Sequence, residues 1–235
     1  MIRPDAPFDS DALRQQSLLA AWFSPGFPIG GFAFSHGLEW AHEAGALNGR
    51  AALEAWCLDV LAEGAGRADA ILINAARRAA VSGDAAAFGE VVDLAFAGQP
   101  SRERFMEASV QGRAFFDLVT AIYPAPGLAR LAPFARRITL PVAVGVAGAA
   151  HRIDGAALTT AYLCAFMGNL CSAAVRLGAV GQTDGQRVVA ALAAPVRALA
   201  LEAQLLSTDD LGGAALRSDL AALSHEIQNA RLFRS

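Results

Sequence analysis

Ser35 and His36 place a hydroxyl beside an imidazole, the pair from which nucleophilic acyl transfer is built. Their context argues against that chemistry. The G-x-S-x-G elbow that presents a nucleophile is absent, and adjacent residues of a helix do not face one another. His36, Glu39 and Glu43 stand at i, i+3 and i+7, one helix face, where they could ligate a divalent metal. The same spacing describes a solvated polar stripe, which is the reading taken here, with His42 off the stripe. Cys164 and Cys171 are seven apart and share one side of a helix, where they are expected to act as small buried hydrophobes rather than as metal or redox ligands. His151 beside Arg152 suits a helix C-terminus as a cation. No catalytic residue, metal ligand or cofactor is assigned.

Composition narrows the classes further. The 19 basic residues are all arginine. Without lysine there is no P-loop amine for the β- and γ-phosphates and no Schiff-base amine, so nucleotide hydrolysis and PLP-type chemistry cannot reside here. Net charge is −3, and no basic block exceeds Arg77-Arg78 or Arg136-Arg137, which sets nucleic acid aside as a partner. Three cysteines without a CxxC pair suit reduced thiols, and Asp5, Asp9 and Asp11 precede any apolar run, so a cytoplasmic location is expected. Residues 155–175 carry no formal charge and are long enough to span a bilayer. They also contain Thr159, Thr160, Asn169 and Ser172 and lack an aromatic belt with basic flanks, so we expect the buried central helix of a bundle, not a membrane contact.

The elements that must position these residues are helical. Apolar residues, 54% of the chain, recur mostly with a 3.6-residue period broken by Gly and Pro. The β-branched run 138–146 contains Pro141 and is expected to be a helix with proline in its first turn. Helices are expected near 11–22, 35–45, 50–63, 67–82, 84–97, 102–119, 126–135, 141–150, 155–177, 184–206 and 214–230. The fold class is thus all-α, a multi-helix bundle of about ten helices, with 1–235 as a single domain. Asn48, Ser101 and Asp154 are candidate N-caps, and Thr183 with Gln186 spells a capping box whose loss would cost about 1 kcal/mol. Gly181 suits the left-handed end of the preceding helix, and Pro195 should kink the next. The Pro- and Gly-rich run from Ser24 to Phe34 is expected to be a structural loop that puts Phe27, Ile29, Phe32 and Phe34 into the core.

Three blocks of this text together resemble the urease accessory protein UreF family, over about Ser17 to the last residue. The first is Ser24 to Trp40, with Pro25, Pro28, Gly30, Gly37 and Glu39 at motif positions. The second is Ser172-Ala173-Ala174-Val175-Arg176-Leu177 followed by Gly181, Gln182, Thr183, Asp184, Gly185 and Gln186. The third is the ending, His225-Glu226-x-Gln228 and Arg231-Leu232-Phe233-Arg234-Ser235. Phe34 and His36 depart from the family, which usually has Tyr and Gln there, so neither a phenol nor an amide is available at those positions. The resemblance implies a homodimer that binds UreD (also called UreH), recruits the GTPase UreG and times GTP hydrolysis during nickel delivery to apo-urease. It also implies partner-binding roles for Glu39, His225, Glu226, Arg231, Leu232, Phe233, Arg234 and Ser235. Residues 224–235 are accordingly expected to be a docking segment, loosely packed when the chain is alone, with Leu232 and Phe233 as apolar anchors. The rival readings are an enzyme, a small helical hydrolase using Ser35 or a His-based metal site, and a membrane protein built on residues 140–175.

Overall fold

The structure, a computed structural model, describes residues 10–128 and 137–235. In chain order the helices are α1 (Ser10–Trp22), α2 (Leu38–Glu43), α3 (Gly49–Glu63), α4 (Ala65–Ser82), α5 (Ala85–Ala97), α6 (Arg102–Ile122), α7 (Leu140–Ala150), α8 (Gly155–Arg176), α9 (Gln182–Glu202) and α10 (Leu216–His225). Short 3-10 turns lie at Gly31–Ala33 and Thr208–Asp210. No strand occurs among the described residues, so the fold is all-α. The helix expected at 126–135 falls mostly outside the described residues.

The fully wrapped helix is α7 rather than the expected α8. Eight consecutive residues of α7, Pro141 to Gly148, are buried, which requires cover on every side. Cover comes chiefly from α4 and α6. Small residues permit the approach: a Cβ on Gly145 would lie 2.3 Å from the carbonyl oxygen of Ile73 on α4, so only glycine fits. Along α8 the buried positions instead recur at three- and four-residue intervals, Leu158, Tyr162, Phe166 and Leu170 among them, marking one apolar face. That face meets α4, while α9 packs alongside. A polar bridge crosses the interior between them: Asn74 Nδ2 donates to Thr159 Oγ1 at 3.1 Å and to the Ala70 carbonyl at 2.9 Å. By length and composition α8 alone among the described helices could cross a membrane, but half of its apolar window is buried against this chain.

Several local expectations need correction. Cys171 is buried, as expected of a small hydrophobe, whereas Cys164 is exposed. Phe34 is buried and Phe27 and Ile29 pack on the core, but Phe32 lies exposed. Asn48 precedes α3 without capping it, because its amide donates to the Gly45 carbonyl at 3.0 Å instead. The Thr183–Gln186 capping box does not form. Helix α9 starts at Gln182, which puts Thr183 inside the first turn with its side chain in solvent. Gly181 is extended, with φ −80° and ψ 163°, and the left-handed residue after α8 is Gly178 at φ 77°. Asp184 in that first turn pairs with Arg187 at 2.8 Å, and the buried residue of the motif is Gly185, tucked against Val175 of α8. Pro195 does lie inside α9, which runs on through it to Glu202.

Two expected caps are present: Ser101 Oγ accepts from Arg104 N at 3.2 Å, and Asp154 Oδ1 accepts from Ala157 N at 2.9 Å. Asp84 caps α5 in the same way, accepting from Ala86 and Ala87. A cap that satisfies a free amide is worth about 1 kcal/mol. Asp154→Ala should therefore lower stability by that amount, whereas Thr183→Ala should stay within about 0.5 kcal/mol of the parent. Thermal or urea unfolding of the two variants side by side checks this; a larger loss for Thr183→Ala would restore the capping box.

Candidate functional site

The first and third motif blocks, some 200 residues apart in sequence, meet in space. His36 and Gly37 both adopt left-handed backbone, φ 55° and 77°, which turns the chain sharply into α2. A side chain at Gly37 would come within 2.7 Å of the Ala222 backbone nitrogen, so glycine here also lets α10 lie against the start of α2. The turn sends Glu39 inward. It is buried, which removes it from the solvated stripe expected of His36, Glu39 and Glu43.

A buried carboxylate needs donors, and the tail supplies them. Glu39 Oε1 accepts from Leu232 N at 2.5 Å, and Oε2 accepts from Phe233 N at 2.9 Å. His225, fully buried at the end of α10, lies between two carboxylates, with Nε2 3.1 Å from Glu39 and Nδ1 2.6 Å from Glu103. Arg231 completes the cluster by donating to the other oxygen of Glu103 at 2.6 Å. Glu226 accepts from the backbone amides of Arg102 and Glu103 at 2.7 and 3.3 Å, adding its charge at the positive N-terminus of α6. Further on, Arg234 N donates to the Ala33 carbonyl at 2.7 Å, Ser35 N and Oγ both donate to the Ser235 backbone oxygen, and Ser235 Oγ donates to Glu107 at 2.9 Å. Ser35 is thereby committed to a structural bond rather than to nucleophilic chemistry.

The tail is therefore fastened to the domain, not loose as expected. Its two apolar side chains also part company: Phe233 is 4% exposed beneath the Arg176 guanidinium, 4.4 Å from its ring centre, whereas Leu232 is 65% exposed. Of the residues carried over from the family, Glu39, His225, Glu226, Arg231, Phe233 and Ser235 are engaged within the chain, and Leu232 and Arg234 face solvent. What the sequence reading missed is the outer face of α10. Leu216, Leu220 and Leu223, at i, i+4 and i+7, are all exposed, and Ile227 beyond them is 83% exposed. Their spacing was legible, but it reads as a core stripe until the partner helices are placed.

A second polar cluster sits deeper. His36 Nε2 lies 2.6 Å from Arg104 Nη1 and 2.9 Å from Glu107 Oε1, and Arg104 also pairs with Glu107. Burial and then the Arg104 charge push the His36 imidazole below its ordinary range, so the neutral ring can accept from Arg104. Burial by itself would raise Glu107; the Arg104 charge outweighs it, with the Ser235 hydroxyl donating as well, and the carboxyl is pulled down to about 2. Asp69 behaves oppositely. It receives the Tyr162 hydroxyl at 2.5 Å, yet burial dominates and raises its carboxyl to about 6. His151 is likewise lowered by burial and bonds the Tyr123 carbonyl through Nε2, which corrects its expected role as a helix-end cation.

The tail and Asp69 can each be tested by stability. Phe233→Ala should cost about 3–5 kcal/mol because it opens a cavity, while Leu232→Ala should change stability of the isolated chain by less than about 0.5 kcal/mol. Equal effects in urea melts would contradict the separate placement of the two side chains. For Asp69, the folded-state value lies above the ordinary 3.8. Below the ordinary value both states are protonated. As pH rises through 3.8 towards 6 the unfolded chain ionises first, so stability falls, and the loss is complete above about 6. Asp69→Asn still accepts from Tyr162 but removes this dependence. Its stability relative to the parent should rise by about 1–3 kcal/mol between about pH 4 and 7, as read from melts across that range.

Comparison with known proteins identifies the family. A family model described as UreF matches residues 47–193, more than half of the chain. The Urease accessory protein UreF of Methylobacterium sp. (strain 4-46) is 52% identical over 219 residues, covering 93% of this chain and 88% of that protein. That of Xanthobacter autotrophicus is 51% identical over 228 residues, 97% of this chain and 94% of the relative, and that of a Bradyrhizobium species is 48% identical over 217 residues, 92% and 90%. The family model stops short of both the Ser24 to Trp40 block and the tail, whereas the Xanthobacter relative aligns with nearly all of the chain. With this extent of identity, and with an all-α fold, the chain belongs to the UreF family.

Proposed function

We propose that this chain is a non-catalytic accessory factor in urease maturation, a docking subunit that binds UreD (UreH) and recruits and regulates the GTPase UreG while nickel enters apo-urease. The observation that carries the reading is near full-length identity of about half with relatives named Urease accessory protein UreF. Two physical features support it. A chain without lysine leaves phosphate-cradling chemistry to a partner. The exposed Leu216, Leu220, Leu223 and Ile227, and separately the exposed Leu232 on the tail, offer apolar anchors of the kind found in protein contacts. The tail therefore works as a fixed platform rather than as a floppy peptide: Glu39, His225, Glu103 and Arg231 hold it so that Leu232 points outward. The working state is a homodimer in the cytoplasm.

The test is complementation of a host that carries the urease genes but lacks this one. The parent chain should restore urease activity and urease-bound nickel. A variant with Leu223→Glu and Ile227→Glu should keep its helicity and melting midpoint, because both side chains are already wet, yet lose capture of UreD in pull-down. Each buried apolar anchor contributes about 1.5–3 kcal/mol, so affinity should fall by about two orders of magnitude or more. Full urease activity in the uncomplemented host would overturn the accessory role; undiminished capture by the folded variant would overturn the docking face alone.

A further inference from the structure

The loop from Ser24 to Phe32 forms one wall of a cavity of about 680 Å³, a size typical of small-molecule sites. Its lining is aromatic: Phe23 stacks on Phe115 with ring centres 6.5 Å apart, Phe27 from the loop lies 5.6 Å from Phe115, and Tyr162 meets Phe23 and Phe166 at 6.1 and 6.4 Å. Charged groups at the same cavity are Asp69, Arg104 and Glu107, with His36 beside them. Arg104 and Glu107 pair with each other, and the neutral His36 accepts from Arg104. Asp69 is the exception. It is 9% exposed, and Tyr162 is its hydrogen-bond donor among the described residues, with no cation paired to it. When Asp69 is ionised, two carboxylates face one guanidinium, and the set carries one uncompensated negative charge.

We infer that this cavity binds a small organic cation, an ammonium or guanidinium head on an apolar stem, with Asp69 as counter-ion and the aromatic rings as the seat of the stem. The chemistry selects that class. Aromatic rings attract cations through their quadrupoles and bury apolar stems, and a carboxylate lacking a partner gains most from an incoming positive charge. An anion would have to displace Glu107 from Arg104 and sit near two carboxylates. A neutral apolar molecule would leave Asp69 unpaired. The Pro- and Gly-rich loop thereby acquires a second role, because Pro25 and Pro28 stiffen a wall whose inner face closes the site.

The probe is phenethylammonium, with 2-phenylethanol as its neutral counterpart of nearly equal shape, titrated calorimetrically into the full chain at about pH 7.5, where Asp69 is ionised. The ammonium should bind at least about tenfold more tightly than the alcohol. In Asp69→Asn, which retains an acceptor for Tyr162, that preference should shrink to about twofold or less while the alcohol still binds. The comparison of the two probes on the parent chain needs no variant to fold. Equal affinity for the two, absence of binding by the ammonium, or a preference that survives Asp69→Asn would each overturn the assignment.

Discussion

A carboxylate shut away from water must meet donors or a cation, and Glu39 creates that demand at the very start of α2. Its answer comes from nearly 200 residues later. Two tail amides and the His225 imidazole converge on it, His225 in turn engages Glu103, and Glu103 engages Arg231. Each neutralising contact depends on the next, so α2, α6, α10 and the tail form one electrostatic unit. Removing one member would strand a buried charge, which costs several times more than the same contact contributes at a surface.

This unit decides what the tail can offer. Two of its backbone amides are committed to Glu39 and a third to the Ala33 carbonyl, its phenylalanine is committed to the core, and Arg176 closes over that ring while donating to the Phe32 carbonyl at 2.6 Å. Arg176 comes from the second motif block, Phe32 from the first and Phe233 from the third, so the three stretches of the family resemblance share one packing site. What remains outward is the apolar stripe on α10 and the Leu232 side chain, whose backbone amide is held by Glu39. A surface ordered in advance carries none of the ordering cost that a disordered peptide meets on binding.

The motif block from Ser24 to Trp40 contributes to two environments. Past the His36–Gly37 turn, Glu39 joins a cluster whose charged groups answer one another. The stretch from Ser24 to Phe32 lines an aromatic cavity that also includes Asp69, whose protonation is favoured by burial and opposed by Tyr162 and Arg104. The contrast with Glu107, also buried but held low by Arg104, shows how one guanidinium paired with one carboxylate and not the other separates the pH at which each ionises.

Linear information sufficed for the helical class, most helix positions, the caps at Ser101 and Asp154, and the family, since these rest on local periodicity, local hydrogen bonding and ordered motifs. Even there, Thr183 and Gln186 spelled a capping box that the start of α9 at Gln182 forestalls. Packing alone settled that α7 and not α8 is wrapped on all sides, because cover depends on which helices pack where, not on a helix's own composition. Packing also settled that Glu39 is buried, that Leu232 and Phe233 part company, that Leu216, Leu220 and Leu223 face outward, and that Asp69 looks into an aromatic cavity. The reason is common to all four: burial and charge state are properties of neighbours brought together from distant positions, and no spacing along the chain reports what will stand opposite a side chain once the helices have packed.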